Sequence, residues 1–250
     1  MTYIITGASS AIGLATIALI VEKGKDNEVI CVTREPDSLK QRLESLGLFS
    51  KNIIICKCDL SKIDSLNSEL CPILDEIGSL DGLINIAGLF IGKRFDDITL
   101  DEIDTLINCN IVSLINIFKI TLPVLQKYCT PVVNISSTLG IHTIDGIYSS
   151  VYDALKSSVI TFTKSMAKEF GLFGIRVNCV SPGVLDPCDK YSFNKVGYEQ
   201  LLYVNKLCQQ QSLPFLGQSK NIASAIMFLL SEESNWTTGC NLVVDGGMNL

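Results

Sequence analysis

Tyr152 and Lys156 lie four positions apart in a stretch whose pattern predicts a helix, so their side chains share one helical face. A lysine ammonium beside a phenol favours the phenolate and lowers the pKa of the tyrosine toward neutrality. Such a tyrosine can exchange a proton with a carbonyl oxygen. The same spacing recurs at Tyr191 and Lys195, so spacing alone does not identify the reactive pair.

The surroundings of the two pairs distinguish them. A predicted strand over residues 132–136 ends next to Ser137, which brings a serine hydroxyl to the carboxyl end of that strand. Tyr191 lies in a polar segment that offers no such partner, and we assign it to the surface. We therefore expect a serine at this strand end, Ser136 or Ser137, to form one reactive group with Tyr152 and Lys156.

A glycine-rich turn after the first predicted strand is a second candidate site. Gly7 and Gly13 allow backbone amides at the start of the following helix to approach a pyrophosphate. Ser9 and Ser10 add hydroxyl donors for a phosphate or a ribose. A simple tight turn is the alternative interpretation, although the place of the turn in a strand–helix–strand unit favours a nucleotide.

The end of the second predicted strand bears on the choice of nucleotide. In dinucleotide sites an acidic residue there accepts a hydrogen bond from the ribose 2′-OH, whereas an arginine accommodates a 2′-phosphate. Here Thr33 and Arg34 occupy the position, and the first carboxylate is Glu35. We expect NADP(H) rather than NAD(H). A surface arginine paired with Glu35 or Asp37 is the alternative.

Short apolar runs alternate with helical patterns along most of the chain. The runs are continuous, as in strands of a parallel sheet that is covered on both faces. The predicted strands are Tyr3–Thr6, Val29–Thr33, Ile53–Lys57, Gly82–Ile86, Val132–Ser136, Arg176–Val180 and Asn241–Val244, and the predicted helices lie near 12–23, 36–46, 62–77, 100–127, 149–170 and 219–231. The pattern predicts an α/β fold, a Rossmann-type doubly wound parallel sheet of about seven strands with helices on both faces.

One segment interrupts this alternation. Residues 184–214 are polar and follow a predicted strand directly. A lid-like segment over the site is one interpretation, and an ordinary pair of surface helices is the other. Because no linker or repeat divides the chain, we expect residues 1–250 to form a single dinucleotide-binding domain.

The composition excludes several classes of protein. Of the 250 residues, 47% are hydrophobic and 18% are charged, which is too apolar and too weakly charged for disorder. The net charge of −6 argues against a nucleic-acid surface or a polybasic membrane anchor. The first residues lack the charged region of a secretory signal, and no uninterrupted apolar run approaches the roughly 18 residues of a membrane-spanning helix.

The cysteines point to a reducing compartment. The chain has 10 of them and none forms a CxxC pair, a scatter that is typical of small buried hydrophobic residues. A disulfide framework or a zinc site is the minor alternative, because only 1 histidine is available as a ligand. We expect a cytoplasmic protein without a metal and without a nucleic-acid or membrane partner.

Further motifs join the two candidate sites into one pattern. In chain order they are Thr6-Gly7-x3-Ala11-x-Gly13, Asp59-Leu60, Asn85-Ile86-Ala87-Gly88, Asn110, Ser137, Tyr152-x3-Lys156, Asn178-x3-Pro182-Gly183, and Thr238-Gly239 followed by Asp245-Gly246-Gly247. The series resembles that of the short-chain dehydrogenase/reductase family in its compact single-domain form, and 3-oxoacyl reductases in particular. The similarity extends over nearly the whole sequence.

The resemblance implies a role for each reactive residue. Tyr152 would be the general acid in reduction and the general base in oxidation, while Lys156 would lower its pKa and bind the nicotinamide ribose. Ser137 would orient and polarise the substrate carbonyl. Asn110 would hold a water that links Lys156 to solvent.

The resemblance also implies a cofactor site and an assembly. The residues expected at NADP(H) are Gly7, Ser9, Ser10, Ile12, Gly13, Thr33, Arg34, Asp59, Leu60, Asn85, Ala87, Gly88, Tyr152, Lys156, Pro182, Gly183 and Leu185. The expected assembly is a homo-oligomer, a dimer or a tetramer, built on paired long helices and the C-terminal strand.

Three features depart from the family pattern. Ile86 replaces a second asparagine and so removes a polar group beneath the cofactor. Pro187 stands where a threonine often binds the nicotinamide carboxamide. The loop 138–147 is longer than usual and contains His142, which we expect to face solvent, with a substrate contact as the alternative.

The sequence therefore predicts an NADP(H)-dependent oxidoreductase that transfers a hydride between the nicotinamide and a ketone or aldehyde. A 3-oxoacyl-thioester reductase acting on an acyl-carrier protein is one alternative. Tyr128 and Phe173 argue against it, because such reductases tend to have arginines there. The other alternative, motivated by Ile86 and Pro187, is a member that binds a dinucleotide without turnover.

Overall fold

A computed structural model describes residues 1–193 and 197–250 of the chain. Within these residues, seven parallel strands form one sheet in the order β3-β2-β1-β4-β5-β6-β7. The strands are β1 (Thr2–Thr6), β2 (Glu28–Thr33), β3 (Ile53–Lys57), β4 (Gly82–Asn85), β5 (Val132–Ile135), β6 (Val177–Pro182) and β7 (Asn241–Val244). The predicted doubly wound parallel sheet is confirmed.

Seven longer helices and three short 3-10 helices accompany the described strands, and the longer ones are labelled here. They are α1 (Ala11–Lys23), α2 (Pro36–Ser45), α3 (63–76), α4 (Leu100–Tyr128), α5 (Ser150–Phe170), α6 (Tyr198–Cys208) and α7 (Ser219–Leu230). Two of them contain a π-helical turn, at Leu66–Leu70 in α3 and at Asn108–Val112 in α4. Helices on both faces of the sheet agree with the sequence prediction.

Two apolar clusters, one on each face of the sheet, hold the layers together. Ile5 contributes to the cluster that joins the sheet to α1, α2 and α7, while its neighbour Ile4 contributes to the cluster on the side of α3, α4 and α5. Both residues are fully buried. The continuous apolar runs of the sequence therefore reflect strands that have no solvent-facing side.

The order of the strands creates a crevice at the carboxyl end of β1. The chain passes from β1 outward to β2 and β3, then returns to place β4 on the other side of β1. Thr6 and Asn85, which end the two adjacent strands, pair in register. In open α/β sheets, ligands bind outside the strand ends at such a switch point.

Helix α4 is long and apolar enough to cross a membrane by its length and composition alone. An apolar helix that packs on the protein's own core meets the same two criteria. Here Leu106, Ile117, Phe118 and Leu125 of α4 are buried against neighbouring elements.

For the segment 184–214, the interpretation as a pair of surface helices is wrong, while the lid-like segment stays a prediction. In its described part it holds one helix, α6, rather than a helix pair. The surface assignment of Tyr191 is wrong, because its side chain is only 5% exposed and joins the cluster on the α1 face. The Asp189 carboxylate accepts hydrogen bonds from the backbone amides of Tyr191 and Ser219. These bonds hold the polar segment against the start of α7. Lys195 lies outside the described residues.

The cysteines are less uniformly buried than the sequence suggested. Cys31, Cys56, Cys58 and Cys179 are buried, four are partly buried, and Cys129 and Cys188 are exposed. All ten are free thiols.

Candidate active site

Ser137, Tyr152 and Lys156 meet at the carboxyl end of β5. Ser137 follows the end of this strand, and the first turns of α5 carry the other two residues. The Ser137 hydroxyl lies near enough to the Tyr152 phenol to lower its pKa. The Lys156 Nζ lies 5.6 Å from the centre of the Tyr152 ring. The structure thus brings together the three residues that the sequence selected.

Lys156 is fixed by the backbone of β5. Its side chain is only 4% exposed, and its Nζ donates to the carbonyl of Ile135 at 3.1 Å. The Ser136 hydroxyl donates to the carbonyl of Lys156 at 2.6 Å, which ties α5 to the strand at the same level. A buried ammonium requires such acceptors within the protein.

Two glycines leave the room that Lys156 requires. A Cβ on Gly88 would come within 2.8 Å of the Asn110 Oδ1 and 3.1 Å of the Lys156 Nζ. A Cβ on Gly140 would come within 2.7 Å of the Lys156 carbonyl carbon. Any larger residue would push the lysine or its helix out of place.

Asn110 lies in the π-helical turn of α4, and such turns are frequent at functional sites. The side chain is buried and donates to the carbonyls of Leu89 at 2.9 Å and Leu106 at 3.0 Å. Its oxygen accepts the Leu89 amide at 3.3 Å. Asn110 therefore fixes the backbone that follows β4, next to Gly88 and Lys156.

Burial controls the protonation of the pair. It raises the pKa of Tyr152 to about 12, an effect that the nearby Ser137 hydroxyl opposes and the charge of Asp153 reinforces. It lowers the pKa of Lys156 to about 8. The sequence predicted that the lysine lowers the pKa of Tyr152. In the structure the pKa of Tyr152 is instead raised. The reason is that both groups are desolvated and the Nζ bonds to Ile135 rather than to the phenol.

A cavity of about 320 Å³, here called the switch-point cavity, lies at the carboxyl ends of β1, β2 and β4. Its lining residues are Gly7, Ser9, Ser10, Val32, Thr33, Arg34, Arg42, Cys58, Asp59, Leu60, Ile86, Ala87, Gly88, Cys109 and Ser113. They include nine of the predicted cofactor residues. The volume is within the range of small-molecule sites.

The turn between β1 and α1 has the tight packing that its glycines predicted. A Cβ on Gly13 would lie 2.6 Å from the carbonyl oxygen of Gly7, which is closer than a carbon atom can approach. Only glycine therefore fits at this position in the first turn of α1. The Ser10 hydroxyl accepts the Gly13 amide at 3.1 Å and donates to the Gly7 carbonyl at 2.8 Å. Ser10 is thus engaged as the helix cap, whereas Ser9 lines the cavity without such a bond.

The cation at the end of β2 faces the cavity. Within the described part of the chain, Arg34 forms no ion pair with Glu35 or Asp37, the partners of the alternative interpretation. Burial tends to raise the pKa of Asp59, but hydrogen bonds from Ser61 and the charges of Lys62 and Arg34 lower it overall. The donor set of exposed guanidinium and turn backbone fits a phosphorylated nucleotide.

The other predicted cofactor residues lie along the same carboxyl side of the sheet, some of them at β6. Gly183 donates its amide to the Val244 carbonyl at 3.0 Å, and a Cβ there would lie 2.7 Å from the Asp245 Cα. Leu185 forms an isolated bridge with Gly217. The Ala87 amide donates to the Thr6 hydroxyl at 3.2 Å. Pro182 ends β6, and Ile12 lies in the first turn of α1.

Asn85 has a partly free side chain. Its Nδ2 donates to the Asn134 Oδ1 at 2.8 Å, while its Oδ1 is buried without a hydrogen-bond partner among the described residues. Beside it, Ile86 is 8% exposed and packs with the apolar cluster of the α1 face. The departure from the family motif therefore adds apolar contact to the floor of the cavity.

Apolar side chains that the motifs did not identify surround the reactive tyrosine. The Phe90 ring meets the Tyr152 ring edge-on, with centroids 5.0 Å apart. Leu139, Ile144, Leu207 and Met248 form a small cluster against which Tyr152 packs. The loop 138–147, α6 and the C-terminal residues thus form an apolar wall, while His142 is exposed as predicted. No local motif could identify this wall, because its parts come from distant segments.

Arg42 is a second residue that the sequence analysis missed. It lies in the last turn of α2 and lines the switch-point cavity together with Arg34. The sequence offered one indication of this position. Arg42 lies between Leu39 and Leu43, which are both buried, so its side chain lies at the border of the packed face of α2.

A larger cavity of about 1020 Å³ lies at the opposite, amino end of the sheet. None of its lining residues belongs to the reactive group or to the switch-point cavity. Its arginine, Arg176, donates to the carbonyls of Leu229, Leu230, Ser231 and Thr237 and holds the chain before β7. This guanidinium therefore has a structural role.

Comparisons with known proteins agree with this geometry. A family model described as enoyl-(acyl carrier protein) reductase matches residues 7–249. The 3-oxoacyl-[acyl-carrier-protein] reductase FabG of Chlamydia trachomatis is 30% identical over 250 residues, which cover 99% of this chain and 96% of that protein. The short-chain dehydrogenase/reductase aba4 of Botryotinia fuckeliana is 31% identical over 249 residues, which cover 97% of this chain and 94% of that protein.

A solved structure is similar over the same range. The structure of ElxO with NADP bound superimposes with a TM-score of 0.84 and 27% sequence identity. The match covers 99% of this chain and 98% of that chain.

The burial of Lys156 predicts a pH-dependent contribution to stability. Its pKa is about 8 in the folded protein against 10.5 for an ordinary lysine, so between these values the unfolded chain binds more protons. Through this group, the free energy of unfolding therefore rises as the pH increases above about 8. Denaturant unfolding of the wild type and of Lys156→Met over this range measures the contribution as a difference between the two proteins.

The comparison with Lys156→Met is needed because three buried thiols change the free energy of unfolding in the opposite direction at higher pH. They are the thiols of Cys31, Cys56 and Cys179, whose pKa values burial raises. Lys164→Met, which removes an exposed lysine of the same helix, should retain the wild-type profile. A wild-type profile parallel to that of Lys156→Met would contradict the assignment.

Proposed function

Because the chain belongs to the short-chain dehydrogenase/reductase family, a family of oxidoreductases, we propose that it is an NADP(H)-dependent enzyme acting on a ketone or aldehyde. In this reaction a hydride passes between the nicotinamide and the carbonyl carbon. The observation that carries the proposal is the meeting of Ser137, Tyr152 and Lys156 beside the switch-point cavity.

Tyr152 donates the proton in the direction of reduction. Its hydroxyl is protonated at neutral pH, because burial raises its pKa to about 12. As hydride reaches the carbonyl carbon, the oxygen becomes an alkoxide, which is a much stronger base than a phenolate. Proton transfer from the tyrosine to this oxygen is then favourable, and in oxidation the same group accepts the proton.

Ser137 and Lys156 prepare this transfer. The Ser137 hydroxyl, which lies near the phenol, is placed to donate to the substrate oxygen and stabilise its developing charge. Lys156 has N–H donors beyond the one bonded to Ile135, and these are available for the nicotinamide ribose. Asn110 keeps the backbone after β4 in place beside the lysine.

The cofactor site is proposed to use the predicted residues around the switch-point cavity. Ser9, the turn with Gly7 and Gly13, and the start of α1 would hold the phosphates, with Arg34 at the 2′-phosphate. When bound, the nicotinamide supplies or accepts the hydride. An NADP-bound neighbour of similar structure supports the choice of nucleotide.

The apolar wall around Tyr152 supports a carbonyl substrate with apolar substituents. Leu139, Ile144 and Leu207 offer no charged group for an acidic or phosphorylated substrate. Reduction is the proposed working direction, since NADP(H) preference and a protonated tyrosine both favour it.

An acyl-carrier-protein thioester is the second candidate substrate. It is supported by the 30% identity to a 3-oxoacyl-[acyl-carrier-protein] reductase. Against it, the net charge of −6 repels an acidic carrier protein, and Tyr128 and Phe173 supply no cation for docking. A member without turnover is disfavoured because the whole reactive group is present.

We further propose that residues 1–250 form one domain, since a single sheet extends from Thr2 to Val244. A homo-oligomer is supported by exposed apolar side chains on α4, at Ile115, and at the edge strand β7, at Val243 and the preceding Trp236. Free thiols support a reducing, cytoplasmic location.

Tyr152→Phe tests the proposed acid. The variant should bind NADPH with nearly unchanged affinity and lose carbonyl reduction by about 1,000-fold, because only the proton donor is removed. Fluorescence titration and steady-state kinetics measure the two effects, and Tyr148→Phe, at an exposed neighbouring tyrosine, is the matched control. Retained turnover in Tyr152→Phe would reject the assignment.

Arg34→Asp tests the proposed nucleotide. The variant should raise the Kd of NADPH at least about 10-fold more than that of NADH, since a carboxylate repels a 2′-phosphate and accepts from a 2′-OH. Lys40→Asp makes the same charge change on the exposed side of α2 and should leave the ratio of the two Kd values almost unchanged. Equal effects of Arg34→Asp on both nucleotides would remove the argument for NADP(H).

A comparison of substrates tests the substrate class. Two substrates are compared, a free apolar ketone and a 3-oxoacyl thioester of an acyl-carrier protein with a matching acyl chain. The value of kcat/KM for the free ketone should equal or exceed that for the thioester. A carrier-bound substrate used about 10-fold more efficiently, or better, would establish the second candidate instead.

A further inference from the structure

Arg42, in the last turn of α2, is held by contacts outside its own helix. Its Nη1 donates to the carbonyl of Ser9 at 2.7 Å, which ties α2 to the glycine-rich turn. On its other side, the guanidinium lies 5.2 Å from the centre of the Phe193 ring. The side chain is thus directed from α2 toward the start of α1 rather than into solvent.

The surroundings of Arg42 leave its charge available. Within the described residues it forms no ion pair, whereas the neighbouring Lys40 lies 4.0 Å from Glu44. The carbonyl of Ser9 accepts from one of its nitrogens, and an arginine has five N–H donors in a planar fork. Several donors therefore remain for an anion.

Arg42 and Arg34 line the same cavity from different elements. Arg34 follows the end of β2, and Arg42 reaches the cavity from α2, with Ser9 and Thr33 also on the lining. The lining also contains one carboxylate, that of Asp59. Asp59 forms an ion pair with Lys62 at 3.9 Å, so its negative charge is offset. Two guanidinium groups on the lining of a cavity of about 320 Å³ match a dianionic phosphate better than a neutral ribose.

We propose that Arg42 is a second binding residue for the 2′-phosphate of NADP(H), acting with Arg34 as a two-arginine clamp. The inference rests on the proposed function, because it refines how the same cofactor site selects its nucleotide. The Ser9 carbonyl orients one edge of the guanidinium, and the Phe193 ring covers one face, so that little side-chain freedom is lost when the phosphate binds.

The phosphate contact can be tested without turnover by using nucleotide fragments. Adenosine 2′,5′-bisphosphate and adenosine 5′-monophosphate differ only in the 2′-phosphate, and isothermal titration of the full chain gives a Kd for each. Arg42→Ala should raise the Kd of the bisphosphate at least about 10-fold and that of the monophosphate by less than about threefold. Arg34→Ala should act in the same way.

Two further variants complete the design. Lys40→Ala removes one positive charge from the same helix and should leave both Kd values almost unchanged, which separates a direct contact from the general field of the protein. Arg42→Lys keeps the charge but not the fork, so its bisphosphate Kd should lie between those of the wild type and Arg42→Ala. This variant carries the test if Arg42→Ala has a lowered melting temperature.

The possible failures are distinguishable. If Arg42→Ala affects the two fragments equally, or no more than Lys40→Ala does, Arg42 does not bind the 2′-phosphate. If Arg34→Ala alone abolishes the preference for the bisphosphate, the clamp is wrong and the proposed use of NADP(H) stands. If the wild type binds both fragments with the same affinity, the proposed nucleotide choice itself is wrong.

Discussion

An ammonium group that is buried at the carboxyl end of a central strand must find its hydrogen-bond acceptors inside the protein. Lys156 donates such a bond to the carbonyl of Ile135, the last residue of β5. Much of the local structure follows from this contact. Gly140 must lack a side chain because the Lys156 backbone occupies the space, and a Cβ on Gly88 would crowd both Asn110 and the lysine Nζ. The Ser136 hydroxyl fastens the helix to β5 at the same point. The position of the reactive tyrosine is therefore set by the lysine one helical turn further along.

The two ends of the site have different physical characters. Around Tyr152 the environment is apolar and raises the pKa of the phenol, which keeps it protonated at neutral pH. The switch-point cavity instead presents arginines and turn amides, which suit phosphates. The carboxyl ends of β1, β4 and β5, side by side in the sheet, bring the two environments next to each other.

Features that depend on local sequence could be predicted, and features that depend on distant contacts could not. Continuous apolar runs located every strand to within a few residues, and the motifs located Ser137, Tyr152, Lys156 and the glycine-rich turn. Tyr191 was misassigned because Asp189 folds a polar segment inward through contacts that composition does not reveal. The reach of Arg42 to Ser9 and the opposite pKa shifts of Tyr152 and Lys156 likewise depend on packing.

The most direct test of the account is a crystal structure of the protein with NADP⁺ bound. The account predicts that the nicotinamide ring lies beside the Tyr152 hydroxyl, with Lys156 at its ribose and the adenosine phosphates at the turn after β1. A ring located away from these side chains, or a nucleotide bound at the amino end of the sheet, would contradict it.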